Sequence, residues 1–94
     1  MYDNDFAIGR VVRSNKGRDK GKIFLVVAEL DEEYVLICDG SLRKIDKPKK
    51  KKIKHISKLN IISEELKYRA EHKKKINNAF IRRELERLGV RSRN

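Results

Sequence analysis

The sequence predicts an α+β fold, in which a small antiparallel β-barrel is followed by a C-terminal helical segment. Short runs rich in Val, Ile and Phe alternate with turn residues through the first part of the chain. From Leu59 onward the apolar period changes to three and four residues, which is typical of helices. We therefore divide the chain into a barrel, residues 1–60, and a helical extension packed on it, residues 61–94.

The first two predicted strands cover residues 8–13 and 22–30, where Val, Ile and Phe suit a pleated, half-buried surface. A short polar segment separates them. Its glycines, Gly17 and Gly21, allow positive φ or a close backbone approach, so we predict a tight loop. That loop can present a dense set of cations to a polyanion: Lys16, Arg18, Lys20 and Lys22.

Three further strands are predicted, over residues 34–38, 41–45 and 51–56. The acidic residues 31–33 form the hairpin turn before the first of these. Asp39 and Gly40 predict a two-residue type I′ hairpin, which needs positive φ at both positions. Five short strands joined by hairpins make an SH3-like barrel the most economical closed architecture.

The helical segment is predicted from an apolar stripe: Leu59, Ile62, Leu66 and Ala70. Ser63 is a suitable N-cap ahead of two glutamates. Asn77 is the cap of a second helix, and Gly89 follows its end. We predict two helices rather than one continuous helix over residues 64–88, because the stripe shifts phase across residues 73–78.

The chain is strongly basic, with 25 Lys and Arg against 14 Asp and Glu and a formal net charge of +11. Such an excess is typical of proteins that bind a polyanion, nucleic acid first and an acidic membrane surface second. A second basic segment covers residues 47–55 and contains four consecutive lysines, which repel one another unless an anion screens them. A solvated loop is the simpler interpretation, and the companion basic loop favours phosphate contact.

The sequence contains no pattern of a catalytic or metal site. Cys38 is the only cysteine, and His55 and His72 are scattered, so no set of ligands has metal-binding spacing. The serines occupy turn, cap or tail contexts without a partner base. We predict no enzyme activity, no cofactor and no small-molecule substrate.

No segment of the sequence predicts export or membrane insertion. The N-terminus is acidic where a secretory signal needs positive charge, and no apolar run approaches the roughly 20 residues that span a bilayer. We expect a cytoplasmic protein with no membrane partner.

A set of short motifs carries a family resemblance: Gly-Arg-Val-Val at 9–12, Lys-Gly-Arg at 16–18, Gly-Lys at 21–22, Val-Val at 26–27, Tyr-Val-Leu at 34–36, Arg-Lys at 43–44 and Ile-Lys-His-Ile at 53–56. Their order over about the first two thirds of the chain resembles the KOW proteins of the archaeal and eukaryotic large ribosomal subunit, of the fourteen-e type, and their bacterial relatives. The resemblance implies an SH3-like barrel. It also implies contact with structured ribosomal RNA through basic loops, and ribosomal proteins as further neighbours.

The function predicted from these features is non-enzymatic RNA binding, by a ribosomal or ribosome-associated protein. The predicted contacts are Arg10, Arg13, Lys16, Arg18, Lys20, Lys22, Arg43, Lys44, Lys47, Lys49, Lys50, Lys51, Lys52 and Lys54, with Gly17 and Gly21 shaping the loop. Aromatic residues are scarce, and Phe24, Tyr34 and Phe80 lie where core side chains are expected. Recognition should therefore favour the backbone and shape of folded RNA over unpaired bases.

Two alternatives follow from the same features. A KOW barrel can also be a protein-interaction module that docks onto transcription or translation machinery, with the C-terminal helices as a further docking surface. Nonspecific DNA binding follows from the charge alone. The tail, residues 91–94, could enter an RNA groove if a partner orders it.

Overall fold

The computed structural model describes residues 5–91. Residues 1–4 of the acidic N-terminus and residues 92–94 of the predicted tail lie outside them. The strands are β1 (Arg10–Ser14), β2 (Ile23–Glu29), β3 (Tyr34–Cys38), β4 (Lys49–Lys52) and β5 (Ile56–Ile62). The helices are α1 (Glu64–Glu71) and α2 (Asn78–Arg87), and a short 3₁₀ turn, Ile53–His55, joins β4 to β5. This confirms the predicted α+β class.

The five strands form one open antiparallel sheet in the order β4-β3-β2-β1-β5, which is compatible with a small barrel-like fold. Alternate residues of β1 and β2 enter two different apolar clusters. Val12 and Phe24 pack with Ile37 on one face, whereas Val11 and Leu25 pack against the helices on the other. Burial on both faces explains why β2 is a nearly continuous apolar run.

The helices cover one face of the sheet. Leu66 of α1 and Ile81 and Leu85 of α2 are fully buried in the cluster that contains Val11 and Leu25. No helix within residues 5–91 is both long enough and apolar enough to cross a membrane.

The predicted fourth strand, residues 41–45, is wrong, because residues 39–48 form a loop. The Asp39 carboxylate accepts hydrogen bonds from the backbone N–H groups of Ser41 and Arg43, at 3.0 and 2.9 Å. Gly40 has a φ of 80°, but Asp39 does not have positive φ, so a type I′ hairpin is excluded. The side chain of Asp39 stabilises a wider turn in its place.

The fourth strand is instead the lysine run itself, Lys49–Lys52, paired along β3. The predicted last strand, residues 51–56, is also misplaced. A 3₁₀ turn occupies Ile53–His55, and β5 starts only at Ile56. Leu59 and Ile62 belong to β5, so the predicted helical stripe was wrong in its first half.

Two helices are present, as predicted, and so are their caps. The Ser63 hydroxyl accepts a hydrogen bond from the Leu66 N–H at 3.1 Å, and the Asn77 amide oxygen accepts one from the Phe80 N–H at 2.8 Å. The acidic turn between β2 and β3 is confirmed as well. There the Asp31 carboxylate accepts hydrogen bonds from two following backbone N–H groups, each at 2.8 Å.

Candidate nucleic-acid interface

The loop between β1 and β2, residues 15–22, is anchored at the carbonyl oxygen of Lys16. This oxygen accepts hydrogen bonds from the Ser14 hydroxyl at 3.0 Å and from the Lys51 ammonium at 2.7 Å. Lys51 is only 9% exposed, because its position in β4 pairs with Val35 on the inner face of the sheet. A lysine of the second basic segment therefore holds the first basic segment in place.

A second set of hydrogen bonds joins the same two segments. The Asn15 N–H donates to the carbonyl oxygen of His55 at 2.8 Å, and the Asn15 side-chain amide donates to the Ser57 hydroxyl at 2.8 Å. Gly17 and Gly21 have φ values of 84° and 86°, which confirms the loop conformation predicted for them. The two basic segments thus form one continuous surface.

Asp19 ties the loop to the β3–β4 connection. Its carboxylate is nearly buried and accepts a hydrogen bond from the Arg43 guanidinium at 2.9 Å. The arginine side chain is about one third exposed, so the pair is partly shielded from water. Arg43 is a predicted RNA contact, but its Nε–H donates the hydrogen bond that holds this loop in place.

The cations that remain at the surface of this framework lie on the loop, at the end of β4 and on the 3₁₀ turn. We call them the basic rim: Lys16, Arg18, Lys20 and Lys54 are exposed, and Lys52 is half-buried. The positive potential of this surface acts on His55. Partial burial and then the charges of Lys16, Lys54, Lys52 and Lys51 hold the pKa of His55 below its ordinary value of 6.5. Such a concentrated positive surface favours a polyanionic ligand.

The other side of the loop borders a basic cleft of about 440 Å³ that separates it from the end of α2. Arg13, Lys20 and Lys22 line the cleft together with Arg91, which follows α2 and pairs with Glu86 at 2.5 Å. Arg91 belongs to the tail for which the sequence suggested entry into an RNA groove, but it was not among the predicted contacts, since only packing of α2 on the sheet brings it to this position.

Further predicted contacts are not members of the basic rim. Arg10 stands at the opposite end of β1, where its guanidinium donates to the carbonyl oxygens of Asp5 at 2.7 Å and Leu59 at 3.0 Å. Lys44 and Lys47 are exposed on the β3–β4 loop, and Lys49 is half-buried on the inner face of β4. Arg10 has the role of a structural link between β1 and β5.

Sequence reasoning missed the position of Tyr34. Its side chain was expected in the core, but it is only partly buried and lies on the outer face of the sheet beside Lys50 and Lys52. The ammonium groups of these lysines lie 4.5 and 5.8 Å from the centre of the Tyr34 ring. The register of β4 against β3 produces this arrangement, and no local signal reveals it.

Groups that could support other chemistry are few among residues 5–91. Cys38 is buried, and burial raises the pKa of its thiol to about 12. Within the same residues, no three His, Cys, Asp or Glu side chains come together in a way that could hold a metal ion.

Comparisons with known proteins give no identification. No protein-family model matches the sequence, and no curated protein matches it. The resemblance to KOW proteins therefore stays a prediction.

Proposed function

We propose that this protein is a non-enzymatic RNA-binding protein, built on an SH3-like barrel of the KOW type, that contacts the backbone of structured RNA. Ribosomal RNA is the proposed target, and the protein acts as a ribosomal or ribosome-associated component in the cytoplasm. The single observation that carries the proposal is the hydrogen bond between Lys51 and Lys16. It joins two basic segments into one surface, where exposed cations can follow a line of phosphates.

The architecture supports the barrel assignment. Four strands form a meander, and β5 returns to pair with β1, so the chain has the compact order that a small barrel requires. An apolar cluster containing Phe24, Val26 and Ile56 fills the face away from the helices.

The composition of the basic rim supports backbone contact over base reading. Four of its five members are lysines, which act towards phosphate as point charges. Arg18 is its one arginine, whereas the guanidinium groups of Arg10 and Arg43 already donate to protein acceptors. Few planar donors are thus presented for reading base edges.

The test compares two triple variants that remove the same charge. Lys16→Gln, Arg18→Gln and Lys20→Gln together neutralise the loop of the basic rim, while Lys73→Gln, Lys74→Gln and Lys75→Gln neutralise the exposed linker between the helices. Binding to a structured ribosomal RNA fragment is measured as a function of salt. If about six to ten phosphates are neutralised, affinity of the natural chain falls roughly a thousandfold or more between about 50 and 200 mM salt.

The loop variant should bind more weakly and show a salt slope smaller by about three, one unit for each cation lost. The linker variant should keep most of the slope. Equal effects of the two variants would mean that only net charge matters. A flat salt dependence of the natural chain would contradict RNA backbone binding. Competition with duplex DNA at fixed salt separates RNA binding from nonspecific DNA binding.

A second candidate, a protein-interaction module, is favoured by a cleft of about 560 Å³ between α1 and α2. Acidic and basic side chains both line it, and the Arg69 guanidinium lies 3.9 Å from the centre of the Phe80 ring. Mixed charge around an aromatic ring suits a peptide better than RNA. Recovery of one discrete protein partner after nuclease treatment would support this candidate.

A further inference from the structure

Tyr34 forms a small group with two lysines on the outer face of the edge strand. In the register of β3 against β4, Tyr34 pairs with Lys52 and Leu36 pairs with Lys50, so all four side chains share one face. The ammonium groups of Lys50 and Lys52 lie 4.5 and 5.8 Å from the ring centre. Two ammonium groups therefore lie over a partly exposed aromatic ring.

The acidic turn, residues 31–33, immediately precedes Tyr34. The Asp31 carboxylate accepts hydrogen bonds from the N–H groups of Glu33 and Tyr34. The carbonyl oxygen of Glu33 accepts a hydrogen bond from the Ile53 N–H at 2.8 Å, so the turn also borders the end of β4. The carboxylates repel phosphate, so a polyanion near Tyr34 is favoured beside the ammonium groups of Lys50 and Lys52.

The group is continuous with the basic rim. Lys52 belongs to both, since it lies near the Tyr34 ring and its charge also acts on His55. If Lys52 contacts a phosphate of an RNA backbone that the rim holds, that backbone passes beside Tyr34. A base that is not paired could then turn towards the ring.

We propose that Tyr34, Lys50 and Lys52 form a subsite for one unpaired RNA base, which stacks on the tyrosine ring while the lysines contact the phosphates on either side. This inference rests on the proposed RNA binding and names the kind of RNA that is bound: a helix next to a bulge or loop. Stacking on an aromatic ring accepts any base, so the subsite selects unpaired structure and not sequence.

The test uses three RNA hairpins that differ at one position. The first is perfectly paired, the second carries one bulged uridine, and the third carries a bulged abasic nucleotide, which keeps the extra phosphate and removes the base. The natural chain should bind the uridine bulge about 5- to 150-fold more tightly than the abasic bulge. Tyr34→Leu should abolish this difference, and Tyr34→Phe should retain it.

Tyr68→Leu is the matched control, because Tyr68 belongs to α1, is exposed and stacks on His72 at a centroid distance of 4.1 Å. It should leave the preference unchanged. Circular dichroism checks that each variant is folded. Because the chain has no tryptophan, a Tyr2→Phe, Tyr68→Phe background leaves Tyr34 as the only tyrosine, and its fluorescence should be quenched by the uridine bulge alone.

Equal binding of the uridine and abasic bulges, with salt-dependent binding intact, would overturn the subsite and leave the proposed function standing. A uniform loss of affinity for all three hairpins in Tyr34→Leu would also overturn it, since the ring would then act without regard to the base. Failure to bind any hairpin would remove the proposed function and the subsite together.

Discussion

The ammonium group of Lys51 lies 2.7 Å from the backbone carbonyl oxygen of Lys16, although 35 positions separate the two residues in the chain. Lys51 is one of four consecutive lysines, yet it is nearly buried while its neighbour Lys50 is exposed. The strand period of two explains the difference, because alternate lysines point to opposite faces of β4. The four lysines look equivalent in sequence, but Lys51 differs from Lys50 in being nearly buried and in supporting the fold.

Replacing Lys51 with methionine should lower the free energy of unfolding by about 1 to 2 kcal/mol, because a charged donor to a backbone carbonyl is lost. Urea unfolding measures the change. Lys47→Met is the control, since Lys47 is exposed and carries the same charge. A similar loss of stability in both variants would show that the hydrogen bond to Lys16 contributes nothing.

The lowered pKa of His55 predicts a pH dependence. The unfolded chain binds a proton near the ordinary value of 6.5, and the folded chain does so only at lower pH. The His55 contribution to stability is therefore fully present above about pH 6.5 and is lost as pH falls from there towards the folded-state pKa of His55. Replacing His55 with Gln should remove this part of the pH dependence.

RNA binding should raise the pKa of His55, because phosphates offset the charges of Lys16, Lys52 and Lys54 that lower it. Nuclear magnetic resonance of a His72→Gln variant follows the one remaining imidazole with and without RNA. A His55 pKa that saturating RNA leaves unchanged would place the bound phosphates elsewhere on the protein.

The single hydroxyl of Ser63 should have a large effect on the stability of the fold. It caps α1 through Leu66, and its hydroxyl also donates to the Glu84 carboxylate at 2.6 Å, so it joins α1 to α2. Ser63→Ala should lower the free energy of unfolding by about 1 to 3 kcal/mol in denaturant titrations near neutral pH. Ser41→Ala, at an exposed loop position, should have little effect.

Acid should weaken the contact between Ser63 and Glu84 that joins α1 to α2. Hydrogen bonds from Arg87 first and Ser63 second hold the pKa of Glu84 below its ordinary value of 4.5, against the opposing effect of burial. The resulting stability is present above about pH 4.5 and is lost as pH falls through the folded-state pKa. Ser63→Ala should reduce this acid sensitivity, and an unchanged acid transition would contradict the bond.

A comparison of alanine substitutions at Gly40 and Gly21 separates the effect of backbone conformation on stability from the effect of packing. Both have positive φ, at 80° and 86°. A Cβ at Gly40 would lie 2.6 Å from the Asn78 carbonyl oxygen and 2.9 Å from Arg82 Cγ, whereas a Cβ at Gly21 meets nothing within 4 Å. Gly21→Ala should lower the free energy of unfolding by about 1 kcal/mol, and Gly40→Ala should lower it by about 3 kcal/mol or more. Thermal unfolding compares them, and equal costs would contradict the close contact of α2 with Gly40.

Local chemistry was sufficient to predict several elements. The caps at Ser63 and Asn77 and the acidic turn at Asp31 depend on hydrogen bonds within a few residues, and all three are present. The apolar runs of β1 and β2 were placed within a few residues of their observed bounds. Turn and cap residues act on their neighbours, so the sequence contains the necessary information.

Elements decided by distant contacts could not be predicted in this way. Asn78 of α2 accepts a hydrogen bond from the Ile45 N–H at 2.8 Å, which fixes the β3–β4 connection as a loop. Lysine has a low strand propensity, and pairing with β3 overrides it at Lys49–Lys52. Leu59 and Ile62, three residues apart, fit a helix by spacing, but pairing with β1 makes them part of a strand.

In the candidate site, too, some features follow from neighbouring residues and others from distant contacts. The loop residues Lys16, Arg18 and Lys20 are adjacent in sequence, so their cluster could be recognised without a structure. The burial of Lys51 and the position of Lys50 and Lys52 beside Tyr34 depend on how β4 is aligned with β3, and a shift of one residue would turn Lys51 to the other face of the sheet.

The lysines of β4 also affect how copies of this chain meet. β4 is one lateral edge of the sheet, where backbone groups could template pairing with another strand. Two such edges brought together would align two rows of ammonium groups, so the free protein resists edge-to-edge stacking at low ionic strength. Concentrated salt or a multivalent anion removes that resistance, and purified material is therefore best kept away from polyphosphate precipitants.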